Sequence, residues 1–187
     1  MRYTTIRSKL FALLLSLAGL FSLNTLTASA TASAPAPAPE EHRLRLFHTH
    51  TGERIDIVYR VGDTYIPSAL SRLNNFLRDH RTGDVHVYDP REFDLLEAIE
   101  QKLGRAHAEI NIICGYRTPW SNAFLRARSS AVAQHSLHMQ AMAIDIRIPG
   151  VKTSVLRDAA LSLHRGGVGY YPGEDFVHVD VGRVRRW

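Results

Sequence analysis

Two stretches of the sequence are the most informative about the fold: SLHMQAMAID at residues 136–145 and DFVHVD at residues 175–180. At the end of the first stretch and throughout the second, polar residues alternate with apolar ones, which predicts two short strands. In the second strand the alternation places His178 and Asp180 on one face and Asp175 on the other. An imidazole and a carboxylate on one strand face, flanked by apolar residues, need polar partners, and a metal ion would be one.

Three residues of these stretches are candidate metal ligands: His138, Asp145 and His178. Two imidazoles, one carboxylate and an open fourth position suit a catalytic zinc ion, because the open position holds the water that the ion activates. The same donors admit other divalent ions. Spacing alone leaves a second interpretation open, in which each histidine is hydrogen-bonded within the protein.

A third stretch, CGYRTP at residues 114–119, follows an apolar run that predicts a buried strand. The planar guanidinium of Arg117 could hold a carboxylate or a developing oxyanion there, or it could be a solvated surface group. Cys114 is the only cysteine, so no intrachain disulfide can form, and we interpret it as a small buried residue.

The rest of the chain predicts an α+β fold, with a small single domain and a central antiparallel sheet flanked by helices. Gly166–Gly169 has the composition of a turn. The other predicted elements are a hairpin over 43–65, helices over 67–79, from Asp89-Pro90 to about 104, over 119–128 and over 151–164, and strands over 109–114, 141–148 and 176–181.

The N-terminal residues 1–30 have the three parts of a secretory signal peptide. A positively charged start precedes an apolar run at 10–21, which is shorter than the roughly twenty residues that span a bilayer. Ala28-Ser29-Ala30 is a small-x-small cleavage site. Cleavage would release an exported, periplasmic protein without a membrane contact, whereas an uncleaved membrane anchor is the alternative.

Residues 31–41 are rich in Ala and Pro, which favours an extended linker, and residues 42–187 then form the folded domain. The chain has 187 residues and a formal charge of +5. Three positive charges and no acids lie in residues 1–30, so the remainder carries +2. That small charge does not indicate a nucleic-acid partner.

The pattern Ser136-x-His138-x-x-Ala141-x-Ala143-x-Asp145 resembles the M15 zinc peptidases, and more closely their DUF882 or YcbK-like branch. Gly115-Tyr116-Arg117 upstream, Phe176-Val177-His178-Val179-Asp180 downstream and the stretch 73–83 carry the same resemblance. The resemblance covers nearly all of the chain after the linker.

This resemblance implies the fold of D-Ala-D-Ala carboxypeptidases and of the hedgehog signalling domain. It also implies that zinc is held by His138, Asp145 and His178, and that Arg117 contacts a substrate carbonyl or carboxylate. The remaining expected site residues bind substrate or support the ligands, and they are Tyr116, Ser136 and Asp180.

The general base is an open point of the resemblance. Dipeptidase relatives use a glutamate three residues before the last histidine ligand, where this chain has Asp175. Strand alternation places Asp175 away from His178 unless the strand begins with a turn, and Asp180 is the rival. His135 is a lesser candidate for a transition-state donor. The family often has glycine in place of Ala141, which matters if the backbone there needs a positive φ.

The expected function is that of a zinc-dependent murein endopeptidase that hydrolyses peptide cross-links of peptidoglycan. One alternative is a D,D- or L,D-carboxypeptidase that trims stem peptides. Another is a zinc-binding or wall-binding module without catalysis. The sequence does not determine the oligomeric state.

Overall fold

The computed structural model describes residues 38–130 and 132–187. The predicted signal peptide and most of the predicted linker lie outside the described residues. Within these two ranges, no helix combines the length and the apolar character needed to cross a membrane.

One mixed sheet organises the described part of the chain. Its spatial order is β3-β2-β1-β4-β5-β7-β6-β8. The strands are β1 (Glu41–His48), β2 (Arg54–Val61), β3 (Thr64–Tyr65), β4 (Glu109–Cys114), β5 (Ala143–Arg147), β6 (Gly167–Tyr171), β7 (Phe176–Asp180) and β8 (Arg185–Arg186).

Helices pack on this sheet. Two of them begin with a proline, Pro67 and Pro119, whose fixed φ and missing N–H suit the first helical turn. The helices of the described ranges are α1 (Pro67–Phe76), α2 (Arg91–Lys102), α3 (Pro119–Arg126) and α4 (Thr153–Ser162), and a 3₁₀ turn spans Leu137–Gln140.

The α+β prediction is confirmed, although the sheet is not purely antiparallel. Strand β1 pairs with β4 in parallel, and β6 pairs with β8 in parallel. The β1–β4 pairing is parallel because β2, β3, α1 and α2 lie between the two strands in sequence and form a long crossover. The other strand pairings within the described ranges are antiparallel.

The core lies between the sheet and the helices. Leu44 and Leu46 on β1 alternate with exposed residues, and they join Phe93, Leu96 and Ile99 of α2 in one cluster of buried side chains. Each fully buried side chain of this size contributes roughly 1.5–3 kcal/mol relative to an exposed one. This packing holds the strands that carry the polar site.

The prediction of a turn at Gly166–Gly169 is wrong, because β6 begins at Gly167. Gly167 and Gly169 do not form a turn; because they lack a Cβ, neighbouring side chains can approach the strand closely. A Cβ on Gly167 would lie 2.3 Å from Oδ2 of Asp180, and a Cβ on Gly169 would lie 2.7 Å from the Trp187 ring. Glycine in a strand can therefore signal the close approach of another group.

Candidate metal centre

The register of β5 and β7 brings two of the predicted ligands together. Asp145 pairs directly with His178 across these antiparallel strands. Directly opposed residues project from the same face of a sheet, so the two side chains meet. Oδ1 of Asp145 lies 2.9 Å from Nδ1 of His178.

The 3₁₀ turn before β5 supplies the third ligand, His138. The hydroxyl of Ser136 accepts a hydrogen bond from the His138 backbone N–H at 3.3 Å and caps the turn. Ala141 ends the turn in the left-handed region, with φ 50° and ψ 45°. The chain therefore reverses within a few residues. Nε2 of His138 lies 3.2 Å from Oδ1 of Asp145 and 3.1 Å from Nδ1 of His178.

Hydrogen bonds on the far side of each imidazole assign its tautomer. His138 donates from Nδ1 to the carbonyl of Gly115 at 2.8 Å. His178 donates from Nε2 to Oδ2 of Asp180 at 3.1 Å. These bonds leave Nε2 of His138 and Nδ1 of His178 as lone-pair donors, and both face the carboxylate of Asp145. Three converging lone-pair donors repel one another unless a cation or a proton lies between them.

The three donor atoms fit a tetrahedral zinc site. Their separations of 2.9–3.2 Å are close to the roughly 3.3 Å that tetrahedral ligands adopt around zinc at about 2.0 Å. All three side chains are largely buried, which limits competition from water. An imidazole oriented by a carboxylate, as His178 is by Asp180, is the usual arrangement behind a metal-bound histidine.

The pKa values of His138 and Asp145 depend strongly on each other's charge. Burial lowers the pKa of His138, but the Asp145 carboxylate and the Cys114 thiol outweigh it and raise that pKa to about 10. Burial raises the pKa of Asp145, but His138 and His178 hold it far below its usual range. A proton on Nε2 of His138 excludes a metal ion there, so metal uptake releases that proton.

Asp180 is a buried anion that supports the centre from behind. Its Oδ1 accepts hydrogen bonds from the backbone N–H groups of Gly167 at 3.0 Å and Gly182 at 2.9 Å. Arg185 lies 2.8 Å from its Oδ2. Burial raises the pKa of Asp180, but the contacts with His178, Arg185 and these backbone groups hold it well below its ordinary value. The carboxylate therefore stays ionised and orients His178.

Cys114 lies beside the centre. Its sulfur, His138 and Asp145 offer ligand atoms that all lie within 4.8 Å of one another. The tighter separations among His138, Asp145 and His178 favour that set as the ligands. Burial has the largest single effect on the Cys114 thiol and raises its pKa, but the charge and hydrogen bond of His138, together with the charge of Arg117, outweigh it, so the net pKa is lowered.

Arg117 reaches the same centre from the start of α3. It is largely buried, and its Nη2 lies 4.0 Å from Oδ2 of Asp145. Its Nη1 donates to the Asn122 side chain at 3.3 Å, and Asn122 in turn donates to the carbonyl of Ala133 at 3.1 Å. Asn122 thus joins the arginine to the loop after α3, a role that the sequence analysis missed.

The ligands lie at a cleft of about 280 Å³. Beyond the ligands and Arg117, its lining includes Glu174 and Trp187, neither of which the sequence analysis selected. The full lining is Arg117, Ser129, Val132, Ala133, His135, Ser136, Leu137, His138, Asp145, Tyr171, Glu174, Phe176, His178, Arg185 and Trp187.

Trp187 forms an aromatic wall beside His178. The two ring centroids are 5.1 Å apart. The indole N–H donates to the Tyr171 hydroxyl at 2.7 Å, and the Arg185 guanidinium lies 4.8 Å from the ring centroid. Gly169 leaves room for this ring. No periodic pattern in the sequence marked Trp187 as part of the cleft.

Three predicted site residues lie outside the cleft lining: Asp180, which supports His178 from behind, Tyr116 and Asp175. Tyr116 is buried, bonds through its backbone N–H to Leu77 and packs on the ring of His86. The carboxylate of Asp175 accepts a hydrogen bond from Thr153 and pairs with Arg147 at 3.3 Å.

The assignment of Asp175 as general base stays a prediction, and the position of its carboxylate does not favour it. A turn does begin β7, with φ 55° at Asp175, but it directs this side chain into an exposed ion pair. A carboxylate held there does not line the space in front of the ligands.

The chain is a peptidase of the M15 class. The family model for peptidoglycan L,D-endopeptidase MepK matches residues 36–187, and the chain belongs to this family. It is 44% identical over 138 residues to the probable peptidoglycan L,D-endopeptidase MepK of Haemophilus influenzae, covering 74% of each chain. It is 43% identical over 142 residues to the peptidoglycan L,D-endopeptidase MepK of Escherichia coli K12, covering 76% of this chain and 78% of that one.

Proposed function

We propose that this protein is a zinc-dependent endopeptidase that hydrolyses L,D peptide cross-links of peptidoglycan, at a bond to diaminopimelate. The observation that carries the proposal is the convergence of three potential ligand atoms, from His138, Asp145 and His178, within 3.2 Å of one another at a cleft. The names of the two relatives support the L,D specificity.

His138, Asp145 and His178 would hold the zinc ion. When bound, zinc supplies Lewis-acid polarisation of the scissile carbonyl and makes water acidic enough to act as a nucleophile near neutral pH. Asp180 keeps the His178 ring in the orientation that directs Nδ1 inward. The Gly115 carbonyl does the same for Nε2 of His138.

Arg117 would stabilise the charge that develops on the scissile carbonyl oxygen. Its guanidinium is fixed by Asn122 and lies near the ligand Asp145. A cation held in place before the reaction costs no reorganisation when charge develops, and burial strengthens its effect. Asn122 would act as a positioning residue for this cation.

Glu174 is the stronger candidate for general base. Among the described residues that line the cleft, it is the one carboxylate other than Asp145. It would accept a proton from the attacking water and return that proton to the leaving amine, so the net reaction adds one water across the peptide bond. His135 also lines the cleft and would contact substrate there.

The contacts that Arg185 already makes within the protein favour endopeptidase action over carboxypeptidase action. A carboxypeptidase needs a cation that clamps the terminal carboxylate of its substrate. Arg185 lines the cleft, but its guanidinium already pairs with Asp180 at 2.8 Å and lies near the Trp187 ring. Action on peptidoglycan also requires export, which residues 1–30 would direct as a signal peptide.

Digestion of purified peptidoglycan tests this function. The protein is incubated with sacculi, with and without a chelator, and the released muropeptides are identified by mass spectrometry. Loss of L,D-cross-linked dimers that a chelator blocks and zinc restores is the expected result. Release of terminal alanine alone would indicate the carboxypeptidase. Unchanged muropeptides with zinc-loaded protein would overturn the hydrolase and favour a wall-binding module.

A further inference from the structure

An aromatic and cationic stripe runs along the outside of α3. Trp120 is 60% exposed, and its ring stacks on that of Phe124 with centroids 5.5 Å apart and planes at 21°. The Arg128 guanidinium lies 3.4 Å from the Phe124 ring centroid. Trp120 and Phe124 are four residues apart on one face of α3, and Arg128, in the turn that follows the helix, donates to the Phe124 carbonyl at 2.8 Å. We call Trp120, Phe124 and Arg128 the α3 stripe.

Residues that line the cleft flank α3 on both sides in the sequence. Arg117 lines the cleft just before α3, and Ser129, Val132 and Ala133 line it after the helix. The inward face of the same helix carries Asn122, which contacts Arg117. A helix of eight residues is about 12 Å long, and Trp120 and Arg128 lie within three residues of the lining residues Arg117 and Ser129.

Charge gives the stripe a preference for acidic partners. Residues 119–130 contain Arg126 and Arg128 but no acidic residue. The substrate of the proposed reaction carries carboxylates on its stem peptides and on the lactyl groups that join them to sugar. An exposed tryptophan beside a cation suits a ligand that has an apolar ring face and an anionic edge.

We propose that the α3 stripe binds the glycan strand of peptidoglycan. A sugar ring would stack with its C–H face on Trp120, and Arg128 would face the lactyl or stem carboxylate. The inference rests on the proposed function, because it takes the same polymer as substrate. It adds a contact that the cleft does not make, and it predicts tighter binding to strands than to free peptides.

Co-sedimentation with insoluble sacculi tests the stripe without hydrolysis. The full chain is stripped of metal with a chelator, so that turnover does not release it. Trp120→Ala should weaken binding roughly tenfold, as loss of an aromatic anchor does. Val155→Ala, at another exposed apolar residue, is the matched control and should bind like wild type. Peptide-free glycan strands should compete with sacculi for wild type and much less for the variant.

The outcomes separate this inference from the proposed function. With zinc present, Trp120→Ala should cleave a glycan-free cross-linked peptide at the wild-type rate and sacculi more slowly. Equal sacculus binding by Trp120→Ala and wild type would refute glycan binding by the α3 stripe. The proposal would also be refuted if the substitution weakened binding to anionic lipid vesicles as much as binding to sacculi. A wild-type protein that binds sacculi through Trp120 but cleaves no peptide would refute only the hydrolase.

Discussion

Oδ1 of Asp145 lies 2.9 Å from Nδ1 of His178 because these residues are paired directly across β5 and β7. Each residue also has a charged neighbour. Nη2 of Arg117 lies 4.0 Å from Oδ2 of Asp145, and Oδ2 of Asp180 lies 3.1 Å from Nε2 of His178. The pair is therefore held by sheet register and needs only His138 from the preceding turn to complete a three-donor centre.

Replacing Asp180 should weaken the metal site without removing a ligand. Asp180→Asn removes the charge that orients His178, and loss of such support typically costs 10–100-fold in metal affinity. Competition with a chromophoric zinc chelator measures this. Asp158→Asn, at an exposed aspartate on α4, should leave the affinity unchanged. Equal zinc affinity in Asp180→Asn and wild type would refute the role given to Asp180.

Replacing Glu174 should reduce turnover far more than replacing its neighbour Asp175, although both residues directly precede β7. Glu174→Gln should lower kcat at least 100-fold with zinc content intact, since general base catalysis contributes 10²–10⁴-fold. Asp175→Asn should change kcat less than about threefold, because its carboxylate pairs with Arg147 outside the cleft. Steady-state hydrolysis of a defined cross-linked peptide measures both. The reverse order would restore Asp175 as the base.

Shape as well as charge should matter at Arg117. Arg117→Lys keeps the charge but loses the planar fork that Asn122 holds, so kcat should fall about 100-fold, as for a lost oxyanion donor. Asn122→Ala should cause a smaller loss in the same parameter. Arg126→Lys on the same helix is the control. A change in KM alone would indicate that Arg117 anchors a substrate carboxylate instead.

Stability should depend on pH through Glu100, which is buried on α2. Burial, with a smaller effect from Glu97, raises its pKa to about 8 from the ordinary 4.5. The folded state keeps a proton that the unfolded state has released, so this contribution is full below pH 4.5 and is lost as the pH rises through 8.

Glu100→Gln should remove that dependence. The variant should exceed wild type in free energy of unfolding by roughly 1–3 kcal/mol at pH 7, and the difference should shrink toward pH 4.5. Urea unfolding at both pH values measures it, with pH 4.5 as the internal control. A constant difference at both pH values would show that Glu100 does not titrate as described.

The sequence predicted the fold class and the strands of the site because their alternation survives in the structure. The strand predicted over 109–114 matches β4, and those predicted over 141–148 and 176–181 contain β5 and β7. The structure brings together the three residues chosen as ligands. Their mutual distances depend on strand register, which alternation along single strands does not specify.

Other features depended on local backbone conformation. Ala141 has a positive φ that glycine adopts more readily, and it was the glycine often found there in the family, not the alanine itself, that indicated it. Asp175 also has a positive φ, which ends the alternation that was used to orient it. Trp187 reaches the cleft because β8 adds to the sheet edge beside β6, a long-range pairing of two residues without a sequence pattern.

A zinc titration of the metal-free protein tests the central claim most directly. The chelated protein is supplied with increasing zinc, and hydrolysis of an isolated L,D-cross-linked muropeptide dimer is followed by mass spectrometry. Hydrolysis should be negligible without zinc, rise with added zinc and reach its plateau at one equivalent per chain, while His178→Ala stays inactive throughout. Full hydrolysis by metal-free protein, or none at saturating zinc, would contradict the account.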